Sequence, residues 1–294
     1  MNRTEPKLIL TPSMRMLLFI CATVLCFFLV SIIAYIIMSK AGSSTAAMRI
    51  LAVVQSVLLF IVPAIAVALM VTRTPARLLE VDNAPGLGSV MLTVLIMVAA
   101  IPALNCIIAW NQSWTLPESM HGLEESLRAS EETAASSVRL IMGGTSVMDL
   151  IMSILIVGVM AGFSEELFFR GGLQRLFTTS GLNHHVAIWI VATVFSLFHF
   201  QFFGLVPRIL LGAYFGYLLW WSRSIWLPVI AHVFNNVSYV AYDWVITRRD
   251  GFAPVETKPS DMKEWVIVVA SAVLAAIGIL LLKRFLQRRN DIAA

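Results

Sequence analysis

The chain is organised as long apolar runs separated by short polar stretches. A helix that crosses the hydrocarbon core of a membrane needs about 20 mostly apolar residues. Eight segments meet or approach this length, at residues 16–38, 49–71, 88–110, 147–169, 185–203, 205–222, 224–243 and 265–282. The pattern therefore predicts an all-α fold, a polytopic membrane helix bundle of about eight transmembrane helices.

The composition supports this class and excludes others. The 294 residues are 59% hydrophobic and only 13% charged, whereas soluble domains carry about 25% charged residues. Disorder is excluded because it requires low hydrophobicity. The formal net charge of +4 provides no basic surface of the kind that nucleic acid binding needs. The three cysteines lie in apolar runs and form no disulfide framework. The expected surroundings are the lipid bilayer, with no nucleic acid partner.

Basic residues indicate the orientation of the bundle. Lys and Arg are modestly more frequent on one side, which the positive-inside rule assigns to the cytoplasm. The clearest cue is the basic tail after the last apolar run, with Lys283, Arg284, Arg288 and Arg289, which suits an anionic inner leaflet. We therefore expect cytoplasmic termini and a bacterial inner (plasma) membrane. In this arrangement Arg208 counts among the outer charges.

The chain divides into three predicted regions. Residues 1–146 hold plain membrane helices and an acidic outer loop, 111–146, which we interpret as a solvated connector rather than a short helix near 118–132. Residues 147–243 form a four-helix membrane core that carries nearly all the polar residues found at membrane depth. Residues 244–294 contain an outer loop, the last transmembrane helix and the basic cytoplasmic tail.

Small residues predict close helix packing within the core region. Gly158 with Gly162, and Gly212 with Gly216, have the G-x-x-x-G spacing that lets helix backbones approach one another. This spacing is common, so it indicates a compact bundle and little about function.

The fourth apolar segment carries charges that are expensive in a membrane. Glu165, Glu166 and Arg170 follow its apolar part, and a charge at helix-centre depth costs about 3 kcal/mol. Glu166 and Arg170 are four residues apart and share a helix face, while Glu165 is rotated from Glu166 by about 100°. We predict a structural Glu166–Arg170 pair and a free base at Glu165. The alternative is an interfacial charge cluster that marks the helix end.

Two further segments carry imidazole and amide groups. His199 follows Phe195 by four residues on the same face, and His232 precedes Asn236 by four. Polar groups in lipid must find one another or water, so one buried site between these segments is the economical arrangement. A glutamate beside an imidazole can deprotonate water. A histidine and an asparagine can donate hydrogen bonds to an oxyanion.

The same side chains also suit a metal. Glu165, His199 and His232 with a water molecule would form a catalytic zinc set, although no H-E-x-x-H motif fixes that geometry. No serine or cysteine has the neighbours of an activated nucleophile. Both water-activation schemes stay open at this point, and the metal-free one is slightly favoured.

The three motifs resemble those of the CPBP family, which comprises type II CAAX prenyl proteases and bacteriocin-processing enzymes and is also called the Abi family. The similarity rests on Glu165-Glu166-x-x-x-Arg170, Phe195-x-x-x-His199 and His232-x-x-x-Asn236, in that order on separate membrane segments. It covers residues 147–243 and makes them the expected catalytic core.

The resemblance implies intramembrane proteolysis by a hydrolase with eight helices and a cavity open to the cytoplasmic side. It implies that Glu165 and His199 activate water and that His232 and Asn236 line the oxyanion site. Glu166 and Arg170 complete the first motif, and Phe195 supports the second. The family has been described both as glutamate-dependent and as metal-dependent, so a divalent metal such as zinc stays undecided. Its substrates include prenylated or membrane-anchored C-terminal peptides and bacteriocin leaders.

Two other functions compete with an endopeptidase. A non-enzymatic bacteriocin-immunity or scaffolding protein can keep the same fold. A proton or solute transporter also uses intramembrane Glu and His, but these residues cluster at one depth and form no chain across the bilayer. Asp149, near the opposite end of segment four, is better interpreted as a helix-start acid.

Overall fold

The fold is a bundle of α-helices. A computed structural model describes residues 6–248, 259 and 261–293, and within those ranges every regular element is helical. The main helices are α1 (Pro12–Ala41), α2 (Thr45–Val71), α3 (Pro75–Leu78), α4 (Leu87–Gln112), α5 (His121–Met142), α6 (Val147–Thr179), α7 (His184–Leu197), α8 (Leu205–Ser222), α9 (Trp226–Arg248) and α10 (Met262–Ala293). The predicted all-α class is confirmed.

The helices make the chain an integral membrane protein. In the part of the chain that the structure describes, six helices are long and apolar enough to span a membrane, namely α1, α2, α4, α6, α10 and the α8 region Phe202–Ser222. The fifth predicted segment forms α7, which has only 14 residues. The seventh forms α9, which has 23 residues but carries His232, Asn235 and Asn236. The predicted number of about eight is therefore approximate.

Helix α6 is longer than the sequence pattern predicts. Its apolar run ends near residue 169, but the helix continues to Thr179 and has 33 residues. The π-helical turns Ile154–Met160 and Leu167–Gln174 flank the stretch that contains Glu165 and Glu166, and such turns are frequent at functional sites. The two acids therefore lie midway along a continuous helix. Their interpretation as a charge cluster at a helix end is wrong.

The acidic loop 111–146 is also more ordered than predicted. It contains α5, a helix of 22 residues, so its interpretation as a solvated connector is wrong. Glu124 and Arg128 form an i,i+4 ion pair of 2.7 Å, and the guanidinium of Arg128 lies 4.0 Å from the ring centroid of Phe203. Helix α5 is therefore stabilised both by an ion pair within the helix and by a tertiary contact with the turn before α8.

The predicted inner and outer loops are sorted to opposite ends of the bundle. At one end Leu8 pairs with Thr72, Arg15 reaches Thr179, and the amide of Asn83 donates to the carbonyl of Arg223. At the other end, α5 contacts the turn between α7 and α8. The sidedness of these ends stays a prediction. Residues 249–258 and 260 of the predicted outer loop, and the side chain of Arg289, lie outside the described residues.

The glycine pairs allow the close packing that their spacing predicts. A Cβ on Gly158 would lie 2.7 Å from Cγ2 of Val237, and one on Gly162 would lie 3.2 Å from the backbone nitrogen of Val233. These contacts bring α9 against α6. Likewise a Cβ on Gly212 would lie 3.2 Å from Cα of Ala192, which places α8 against α7. The same Cβ on Gly212 would lie 3.1 Å from Nη2 of Arg170, so α8 connects α7 with α6.

Candidate active site

Glu166 and Arg170 form a buried ion pair on α6. Both side chains are fully buried, and Nη1 of Arg170 donates to Oε1 of Glu166 at 2.8 Å. Nη2 of Arg170 donates to the carbonyl of Gly212 at 2.9 Å. The rings of Phe195 and Phe215 lie 4.5 and 5.5 Å from the guanidinium carbon. Arg170 is therefore neutralised and fixed between α6 and α8.

The same carboxylate oxygen orients His232. Nδ1 of His232 lies 2.8 Å from Oε1 of Glu166, and its ring stacks on Phe215 with centroids 5.1 Å apart. Since Glu166 is paired with Arg170 and acts as an acceptor, Nδ1 carries the proton of this contact. A neutral His232 then has an unprotonated Nε2, which can accept a hydrogen bond but cannot donate one.

Glu165 points to the other edge of the same imidazole. Its Oε2 lies 3.8 Å from Nε2 of His232, too far for a direct hydrogen bond. That oxygen is buried and has no hydrogen-bond partner, whereas buried polar groups are normally satisfied. An acceptor kept from solvent in this way is a place where a ligand or reactant can bind.

His199 lies just beyond the C-terminal end of α7. Its Nδ1 donates to the carbonyl of Phe195 at 2.9 Å, which leaves Nε2 as an acceptor. The Phe195 ring contacts both imidazoles, with centroid distances of 5.0 Å to His199 and 5.7 Å to His232. Glu165 and His232 are close enough to interact electrostatically with His199. The structure therefore places the two imidazoles on the Phe195 ring.

Asn236 uses part of its side-chain amide for a contact between two helices, which the sequence did not predict. Its Nδ2 donates to the carbonyl of Val157 at 3.1 Å, and its Oδ1 accepts from Asn235 at 3.3 Å. Val157 belongs to the first π-helical turn of α6. The amide has a second N–H, so one donor remains beside the site while the other joins α9 to α6.

Arg208 is a residue of this region that the sequence reasoning missed, because it was counted as an outer flanking charge. Its guanidinium donates to the carbonyl of Gln201 at 3.2 Å and to Oε1 of the same residue. Its charge lies near enough to influence Glu131 first, and then Glu165 and His199. The sequence feature that could have indicated this is the four-residue spacing between Arg208 and Gly212, which places both on one face of the helix.

The predicted metal ligands do not form a three-residue set in this arrangement. Among the described residues, no group of three or more His, Cys, Asp or Glu side chains is placed to hold a metal ion. Glu165 and His232 face each other as a pair, while a catalytic zinc site uses three protein ligands. The zinc alternative therefore stays a prediction, which metal removal tests.

A small, partly open pocket lies at the predicted inner end of the bundle. It is lined by Glu80, Gln174, Arg175, Thr178, His184, Leu219, Trp220 and Arg223. Gln174 lies one turn beyond Arg170, and its Nε2 donates to the carbonyl of Gly216 at 3.0 Å. This pocket therefore lies beyond Arg170 along α6 and does not contain the carboxylate and imidazole groups.

Comparison with known proteins agrees with the motifs. Residues 147–238 match the family model described as Type II CAAX prenyl endopeptidase Rce1-like. This segment is therefore similar to that family. The match is consistent with the CPBP family, and the Rce1-like segment includes every motif residue from Glu165 to Asn236. No curated protein and no solved structure matches the chain.

Proposed function

We propose that the chain is an intramembrane endopeptidase that hydrolyses peptide bonds with a water molecule activated by Glu165. The Rce1-like match supports protease activity of the CAAX type. The observation that carries the mechanism is the buried, unpartnered Oε2 of Glu165, 3.8 Å from Nε2 of His232. A water molecule between two polar atoms at such a separation can bond to both.

The chemistry follows from the protonation of these groups. Glu165 takes one proton from the water, whose oxygen forms a bond to the peptide carbonyl carbon while the π pair moves to the carbonyl oxygen. Breakage of the C–N bond returns that proton from Glu165 to the leaving nitrogen. A carboxyl group and an amine result. His199, with its free Nε2, is proposed to serve as a second acid–base group that exchanges a proton with Glu165 and the leaving nitrogen.

His232 has a different role in this proposal from the one that the resemblance implies. The resemblance places it in the oxyanion site, but its Nδ1 is held by Glu166 at 2.8 Å. With Nδ1 occupied, the remaining nitrogen, Nε2, faces Glu165 and the proposed water. Asn236 keeps one N–H for the oxyanion.

The substrate is proposed to be a peptide or protein segment within or beside the membrane. A prenylated C-terminal peptide and a leader peptide both remain candidates. Purified full-length protein in proteoliposomes is to be incubated with a prenylated CAAX peptide, its unprenylated counterpart and a leader-type peptide. New termini are detected by mass spectrometry. Cleavage of one class and not the others identifies the substrate.

His199→Ala is expected to reduce cleavage of the preferred peptide by about 10²-fold or more, since loss of a positioned acid–base group has effects of that size. The matched control is His121→Ala, because the side chain of His121 on α5 is 71% exposed. Initial rates should fall for the first variant only. Equal rates in wild type and His199→Ala would contradict the proposal.

Metal removal is expected to leave cleavage unchanged. The described residues place no three-ligand set around Glu165, so the proposed steps rest on side chains and water. The measurement is the cleavage rate after dialysis against EDTA or 1,10-phenanthroline, with the metal content checked by mass spectrometry. Loss of activity that added zinc restores would instead establish the alternative in which Glu165, His199 and His232 bind the metal.

A further inference from the structure

The oxyanion of the proposed reaction lacks donors among the motif residues. Stabilisation of such an oxyanion requires positioned N–H groups. His232 uses its Nδ1 proton for Glu166, and Asn236 uses one of its two N–H groups for Val157. A single amide N–H then remains. A membrane interior offers little bulk water to supply the rest.

Arg208 is positioned to supply more donors. It lies one turn before Gly212 on α8, and the carbonyl of Gly212 binds Arg170 at 2.9 Å, so this face of α8 is turned toward the site. The guanidinium is held by the backbone and side-chain oxygens of Gln201. Gln201 follows His199 by two residues, which ties the guanidinium to the turn that carries the imidazole.

Gly204 makes room for this arrangement. A Cβ at Gly204 would lie 2.8 Å from both Nη1 and Nη2 of Arg208. The guanidinium therefore packs directly on the backbone of the Phe202–Gly204 turn. An arginine held on two sides in this way loses little further freedom when it binds another group.

The charge of Arg208 is not cancelled by a direct partner in the site. Among the described residues Arg170 is paired with Glu166 at 2.8 Å. Glu131 is the strongest carboxylate neighbour of Arg208 and Glu165 the next, but neither approaches closely enough to form an ion pair with it. The carboxylate of Glu165 and the guanidinium therefore flank the space near His199 from different helices. A polarised carbonyl fits between a base and a cation of this kind.

We propose that Arg208 is a catalytic residue whose guanidinium donates hydrogen bonds to the scissile carbonyl oxygen and to the oxyanion formed from it. This inference rests on the proposed endopeptidase function. A guanidinium has five N–H donors and remains charged at all physiological pH values. Two donors serve Gln201, so others are left for the substrate.

The test compares Arg208→Ala with wild type in full-length protein in proteoliposomes. We expect kcat to fall about 10²–10³-fold, as for loss of other oxyanion donors, with little change in KM. Millimolar guanidinium chloride should restore part of the lost rate, which a merely structural role would not allow. A peptide phosphinate, which mimics the anionic tetrahedral intermediate, should inhibit Arg208→Ala far less well than wild type.

Arg128→Ala is the matched control, because Arg128 lies on the ring of Phe203 in the same turn, 4.0 Å from its centroid, but contributes no donor to the site. Wild-type kcat in Arg208→Ala, or an equal loss in both variants, would overturn the inference. Should Arg208→Ala fail to fold, Arg208→Lys keeps the charge but loses the planar fork. It should then show lower kcat at unchanged KM, and wild-type kcat would overturn the inference.

The proposed function fails separately from this inference. If Glu165→Gln is inactive while Arg208→Ala keeps wild-type kcat, the endopeptidase proposal stands and the role of Arg208 is refuted. If Glu165→Gln remains fully active, the endopeptidase mechanism is refuted, and with it the role of Arg208.

Discussion

Glu165→Gln is expected to lower kcat by about 10²–10⁴-fold, the usual contribution of a positioned general base, while the protein keeps its thermal stability. Glutamine has nearly the same shape as glutamate but cannot take a proton from water. No described partner of Oε2 would be lost, because that atom makes no hydrogen bond with protein. The measurement pairs initial cleavage rates with the unfolding temperature of the purified variant.

Glu125→Gln is a suitable control for this substitution. Its side chain lies on α5 and is 71% exposed, so the same chemical change there should alter neither rate nor stability. Wild-type cleavage by Glu165→Gln would refute the mechanism. In cells, a phenotype that Glu165→Gln fully rescues would instead favour the non-enzymatic immunity or scaffolding function of the same fold.

Helix geometry alone predicted how the two neighbouring acids differ. A rotation of about 100° per residue separates Glu165 from the face shared by Glu166 and Arg170, and the 2.8 Å pair occupies that face. The contact of Glu166 with His232 was beyond the reach of this argument. It joins residues 66 positions apart, and it depends on how closely Gly162 lets α9 approach α6.

Hydropathy predicted the apolar helices and failed where charges are satisfied inside the protein. The hydropathy pattern predicts an end of the fourth segment near residue 169, because Glu165, Glu166 and Arg170 lower the mean hydropathy there. Those charges are paired or enclosed, so the helix continues through them to Thr179. Helix α5 was missed for the converse reason, since its polar surface gives no membrane signal and its order depends on contacts with Phe203.

Arg208 shows a limit of counting charges along a sequence. Its place near the start of the sixth apolar segment is typical of a flanking residue at the membrane surface. The turn from Gln201 to Gly204 instead directs its side chain inward, with hydrogen bonds to Gln201. A three-residue 3-10 turn gives almost no pattern in the sequence, so this orientation required the structure.

Glu166→Ala is expected to destabilise the protein by about 3–5 kcal/mol, because it leaves the fully buried charge of Arg170 without its partner. The free energy of unfolding can be measured by denaturant titration in mixed micelles. The double variant Glu166→Ala/Arg170→Met should be less destabilised than Glu166→Ala, since removal of both charges avoids the uncompensated one. Recovery should be incomplete, because Arg170 also donates to Gly212.

The comparison of the two adjacent acids distinguishes a structural carboxylate from a catalytic one. Glu165→Gln should lose activity at unchanged stability, whereas Glu166→Ala should lose stability first, and activity with it as His232 loses the acceptor that fixes its tautomer. A loss of stability in the double variant that equals the sum of the losses in Glu166→Ala and Arg170→Met would show that the two side chains are not coupled. A stable but inactive Glu166→Ala would instead place Glu166 in the chemistry, and the proposed division of roles between the two acids would then be wrong.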